Sequence, residues 1–159
     1  PAVAAMVESI MQVASRSGPA RPAMVVGPRD AALRAARTCY DHLAGRLGVA
    51  LADAMVGNGQ IELASDAGLV TDAGTELFGR LGIDMEALTT QGKRGKRLLC
   101  RPCLDWSERR PHLAGALGAA LCAHCLAEGW IRRMPGTRAV SVTPKGQRVF
   151  RETFGASLA

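Results

Sequence analysis

Five cysteines and three histidines carry most of the chemistry open to this chain. Cys100-x-x-Cys103 and Cys122-x-x-Cys125 are separated by 18 residues, a spacing that suits a four-thiolate zinc site. A quieter set occurs twice: Arg37-x-Cys39-x-Asp41 is followed by His42, and Arg101-x-Cys103-x-Asp105 by His112. If the two stretches face each other, Cys39, His42, Cys103 and His112 would bind zinc or another soft or borderline metal. The same two thiols would also make a redox switch. Tyr40, Asp41, Asp105 and Trp106 would join them in lining a pocket for an organic effector. A fourth reading needs no ligand, since the carboxylates would pair with the arginines and cap helix starts. His124 stands alone beside an apolar helix face and is read as incidental. There is no G-x-S-x-G elbow, phosphate loop or H-E-x-x-H motif, so the chain is not read as an enzyme.

The doubled motif belongs to a larger internal repeat. His42-Leu-Ala-Gly-Arg-Leu-Gly-Val-Ala-Leu51 returns 70 residues later as His112-Leu-Ala-Gly-Ala-Leu-Gly-Ala-Ala-Leu121, identical at eight of ten positions. Upstream, Arg37–Asp41 aligns with Arg101–Asp105, the second copy carrying the insert Trp106–Pro111 before its histidine. Downstream, Gly59 and Ile61 match Gly129 and Ile131, and Thr71-x-x-Gly74 with Phe78 matches Thr143-x-x-Gly146 with Phe150. The alignment sets Cys122 against Ala52 and Cys125 against Met55, so the first copy uses those two positions as ordinary apolar sites. That weakens the CxxC pair as a zinc site and favours the duplicated set.

The elements that must position these residues follow from periodicity. Leu43, Leu47 and Leu51, and likewise Leu113, Leu117 and Leu121, form the i, i+4 stripe of a buried helix, with Pro111 suited to the first turn of the second one. Gly57-Asn58-Gly59 and Glu128-Gly129 end these helices. Trp130–Met134 and Ala139–Thr143 read as strands about the turn Pro135-Gly136-Thr137, and Ser65–Gly68 is a poorer turn in the first copy. Thr143 then caps a closing helix with Pro144 at its first position. Gly45, Gly48, Gly115 and Gly118 lie inside the expected helices, where glycine costs ~1 kcal/mol each; a close approach, either of the two helices crossing about a pseudo-two-fold axis or of another element, would offset that. The fold class expected is therefore mostly α with short β-hairpins (α+β), in two tandem winged-helix-like units at 30–88 and 98–159. A basic linker, 89–97, joins them, and a helix with its linker, 1–20, precedes them.

With 159 residues, 48% hydrophobic and 21% charged, the composition is globular rather than disordered. No signal peptide is evident and no apolar run reaches the ~20 residues a bilayer span needs, so a cytoplasmic location without membrane contact is expected. In that compartment structural disulfides are not expected. A net charge of +6 suits work near nucleic acid, with Arg132, Arg133, Arg138 and Lys145 as the candidate DNA contacts. A chain opening at Pro1 reads as a piece of a longer or processed one.

The stretches Ala36–Gly48 (ARTCYDHLAGRLG) and Arg101–Gly115 (RPCLDWSERRPHLAG), with Gly129–Arg133 (GWIRR) and Val142–Gly146 (VTPKG), resemble the C-terminal region of a large group of ArsR-type bacterial regulators. Pro1–Ala14 is similar to the helix that follows the winged helix-turn-helix of that group and contributes to dimerisation. The resemblance implies a homodimeric, cytoplasmic transcription regulator that reaches DNA through an N-terminal domain lying outside this sequence. It implies an effector, small molecule or metal, without naming one. The group's usual metal motif belongs to that N-terminal domain. Cys39 and Cys103 fall inside the family pattern, whereas Cys100, Cys122 and Cys125 depart from it.

Overall fold

The computed structural model describes residues 30–94 and 97–156, together with Val3, Met6, Val7, Ser9, Ile10 and Val13, which are helical. The helix expected over Pro1–Ala14 lies otherwise outside the described residues, as does the segment that follows it.

The same succession of elements occurs twice. A short helix α1 (Ala31–Ala35), capped by Asp30, leads into β1 (Arg37–Cys39), which pairs antiparallel with β2 (His42–Ala44). Helix α2 (Gly45–Gly57) follows without a connecting loop, then the hairpin β3 (Ile61–Leu63) with β4 (Gly68–Val70), then α3 (Asp72–Arg80) and α4 (Met85–Arg94). The second unit runs β5 (Arg101–Leu104), β6 (Pro111–Ala114), α5 (Gly115–Ala127), β7 (Ile131–Arg133), β8 (Val140–Val142) and α6 (Pro144–Val149), closing in a wide helical turn at Phe150–Phe154. The fold is mixed α and β as expected, with four short antiparallel hairpins among the described residues.

Three local expectations are corrected. Leu43 and Leu113 lie on strands, and the helices open at Gly45 and Gly115. Pro111 opens β6, where a missing N–H is tolerated at a strand's first residue, and takes no part in a helix start. The stretch expected as a linker is helical up to Arg94. The cause of the first two is one device. Gly45 and Gly115 have φ of +75° and +88°, a left-handed backbone that turns strand into helix in one step and that other residues rarely adopt. A Cβ at either would also meet backbone carbonyls, Arg34 O at 2.8 Å and Leu99 O at 2.7 Å.

Thr71 and Thr143 cap α3 and α6 by accepting from the N–H groups of Gly74 and Gly146, each cap contributing about 1 kcal/mol. One apolar cluster spans both units and includes Leu47, Leu51, Met55 and Phe78 with Leu117, Leu121, Phe150 and Phe154. The closing hairpin of the second unit docks on the first unit's β1: Thr38 N–H donates to Arg138 O at 2.9 Å and Val140 N–H to Ala36 O at 3.0 Å. No helix among the described residues is long and apolar enough to cross a membrane.

Candidate functional site

The register of the leading hairpins fixes the site. Cys39 sits directly opposite His42 across β1 and β2, and Cys103 directly opposite His112 across β5 and β6. The two histidine strands pack against each other, so each hairpin delivers one thiol and one imidazole to the same point. The glycines of the helices make this approach feasible. A Cβ at Gly48 would stand 3.5 Å from the Cβ of His112, and one at Gly118 would stand 3.3 Å from that of His42. Of the two expected arrangements, the glycines therefore receive another element: each lets the opposite unit's histidine strand close in.

The ligand atoms of Cys39, His42, Cys103 and His112 all lie within 4.8 Å of one another. The two Nε2 atoms are 3.1 Å apart, with the rings tilted by 36°. His42, Cys103 and His112 are 2%, 1% and 1% exposed, while Cys39 is only half-buried. On the outer side of each ring a carboxylate faces Nδ1. Asp41 Oδ1 is 3.3 Å from His42 Nδ1, and Asp105 Oδ2 is 3.4 Å from His112 Nδ1, an ion-pair distance without hydrogen-bond alignment.

These carboxylates are themselves held across the units. Arg37, fully buried, gives Nη2 to both oxygens of Asp105 at 2.9 and 2.8 Å, donates Nη1 to Leu33 O and Ser107 Oγ, and lies 5.0 Å from the centre of the Trp106 ring. Asp105 also accepts from Gly45 N–H at 2.7 Å, at the start of the opposite unit's helix, and from the Ser107 and Glu108 N–H groups. Asp41 is held differently, by Arg97 at 2.7 and 3.0 Å, and Arg97 reaches on to Gly115 O. The expected arginine–carboxylate network is present, and it surrounds the cysteine–histidine cluster.

The electrostatics follow. Burial raises the Asp105 carboxyl, but the neighbouring His112, the Gly45 N–H, Ser107 and Arg37 together hold it well below the carboxylate range. The hydrogen bond from Cys103, helped by His112 and His42, holds the Cys39 thiol far below its ordinary value against the opposing effect of burial. Burial also disfavours a charged His112, yet Asp105 and Cys39 raise its pKa on balance. The remaining cysteines go the other way. Burial pushes Cys100 up to about 11 and raises Cys122 and Cys125 as well.

Among the described residues, the four cysteines Cys100, Cys103, Cys122 and Cys125 do not form a ligand cluster. Cys103 faces Cys39, Cys122 and Cys125 pack in the core, and Cys100 Sγ lies against Gly68. Tyr40 stands exposed at a hairpin tip with φ of +60°, and Trp106 covers Arg37. Neither lines the open cleft of roughly 380 Å³ between α1, α2 and the closing hairpin, which is walled by Ala32, Leu47, Met134 and Val140. Of the residues expected to touch DNA, Arg132 and Arg133 are exposed on β7. Arg138 is tied to Thr38 O at 3.4 Å, and Lys145 to Glu128 O at 2.8 Å. Sequence reasoning missed Arg97 and Ser107. Ser107 had a readable signal, because Asp followed by Ser in the extra insert suits a turn closed by the carboxylate.

The chain is 46% identical over 126 residues to an uncharacterized HTH-type transcriptional regulator, YdfF of Bacillus subtilis (strain 168). The match covers 79% of this chain, and the chain spans about half, 54%, of that relative's length. No family model matches the chain, and no solved structure matches it significantly.

Proposed function

We propose that these residues form the effector-sensing and dimerising portion of an ArsR-type, DNA-binding transcriptional regulator, a cytoplasmic homodimer. DNA is contacted by a winged-helix domain preceding them in the whole protein. The regulator class is supported by the likeness to YdfF together with the ArsR-like motifs. The sensing role is carried by one observation: two hairpins from different units bring Cys39, His42, Cys103 and His112 to a single buried point. A site assembled across two units changes when the units shift, which is how occupancy is relayed to a distant domain.

A second reading is favoured by the exposed Arg132 and Arg133 on the β7–β8 hairpin, which would act as a wing on phosphate. The two are separated by titrating duplex DNA with this chain at rising salt. As a sensor, the chain binds duplex weakly and without sequence preference. Tight binding with a steep salt dependence, lost on Arg132→Ala with Arg133→Ala, would transfer the DNA-reading role to the hairpin.

A further inference from the structure

The geometry points to a metal site: Cys39, His42, Cys103 and His112 bind one zinc-class divalent ion tetrahedrally, each unit giving one thiolate and one imidazole. This rests on the sensing reading above and names its effector.

Three independent features carry it. The first is donor type and spacing. A tetrahedral ion with bonds of about 2.3 Å to sulfur and about 2.0–2.1 Å to nitrogen holds its ligand atoms roughly 3.3–3.8 Å apart. The four donors, all within 4.8 Å of one another, need only small side-chain rotations to reach that shape. An S2N2 tetrahedron is the preference of zinc among the borderline metals. The space between the atoms suits an ion and is too small for an organic molecule.

The second is the orientation of the rings. Each histidine turns Nδ1 outward to a carboxylate and Nε2 inward. An imidazole that keeps its proton on the carboxylate side has a bare lone pair on Nε2. At 3.1 Å two such lone pairs are close enough to share one cation, a metal ion in place of the proton that would otherwise join them. Carboxylate behind histidine is the arrangement that fixes the tautomer of metal-bound imidazoles.

The third is charge. Three of the four donors are almost wholly buried, so a net charge at their centre would be poorly solvated. Two thiolates and two neutral imidazoles cancel a divalent cation.

The test uses the whole reduced chain with Co2+ as the optical probe. One equivalent is expected to give the visible bands of a tetrahedral ion and a near-ultraviolet thiolate charge-transfer band, both abolished by one equivalent of Zn2+. Cys39→Ser and Cys103→Ser each lose part of the charge-transfer band. Asp41→Asn, which removes no ligand, weakens binding by roughly 10–100-fold. Cys122→Ser, on a core position, binds as the unaltered chain, and far-ultraviolet circular dichroism verifies that each variant is folded. An octahedral spectrum without charge transfer would overturn the site. So would binding that survives Cys39→Ser but is lost in Cys122→Ser, or reduced protein that takes up no ion and instead forms a Cys39–Cys103 disulfide in air. Operator binding by the whole regulator separates the two proposals. Uptake of one ion with unchanged operator affinity defeats the sensing reading and leaves the metal site standing.

Discussion

Arg37 and Asp105 are both fully buried, and the neutral hydrogen bonds each makes within its own unit, to Leu33 O and from Ser107 and Glu108, do not balance the charge. Removing one charge strands the other in a poorly solvated interior, which costs about 3–5 kcal/mol. Asp105→Asn is therefore expected to lower stability to urea by that amount. Acid should act similarly on the unaltered chain. The Asp105 pKa is depressed by folding, so its contribution is complete above the unfolded value of about 3.9 and is lost as pH falls through the lower folded value. Urea midpoints measured below about pH 4 should fall more steeply for the unaltered chain than for Asp105→Asn; parallel slopes would deny Asp105 that role. That Cys39, His42, Cys103 and His112 belong together was legible because the motif occurs twice, so chance composition could be set aside. The arginine partners of the adjoining carboxylates were legible only in part: Arg37 pairs with a carboxylate as its motif suggests, but the partner of Asp41 lies elsewhere. A strict repeat would pair Arg101 with Asp41 as Arg37 pairs with Asp105, whereas Arg97 from the connecting segment takes that place. Which of two neighbouring arginines reaches a carboxylate depends on chain path, and spacing does not encode it.

At the scale of elements, the leading hairpins were the least legible feature. Strands of three or four residues are too short to display an alternation, and Leu43 and Leu113 fit the helical stripe that follows them. The caps Thr71 and Thr143 and the closing hairpin at Gly136 were readable because each depends on local residue chemistry. Glycine position gives the prediction here. A Cβ at Gly48 would meet Leu43 O at 2.5 Å and one at Gly118 would meet Leu113 O at 2.6 Å, with the opposite histidine just beyond in each case. Gly48→Ala and Gly118→Ala should each destabilise by about 1–3 kcal/mol through overpacking and push the histidine strands apart. Gly57, at the end of the same helix, has nothing within 4 Å of an added Cβ. Gly57→Ala should be neutral or gain up to about 1 kcal/mol from helix propensity. Thermal unfolding of the three variants provides the comparison, and equal losses would mean that the close approach is not what selects glycine.

For the whole molecule, the two units share one apolar cluster and are joined again through Arg37–Asp105, Thr38–Arg138 and the cysteine–histidine point. An ion held at that point would bind only with both units in place, and would therefore stabilise the folded chain by mass action. At a free concentration 100 times its dissociation constant, the gain is about 2.7 kcal/mol. The melting temperature should rise with Zn2+, return to its starting value on chelation, and respond little in Cys103→Ser.

Cys39 is the one donor of the four that is not closed off, and it sits beside the exposed hairpin tip at Tyr40. Were an ion to occupy the point between the units, its exposed side among the described residues would be the one at Cys39. Rotation of that one cysteine side chain would then uncover the ion, while the other three groups are walled in. The affinity of such a site would depend on all four groups, whereas the rate at which the ion leaves would depend mainly on Cys39. The tip of the first hairpin is where evolution or an engineer would adjust the response time without rebuilding the site.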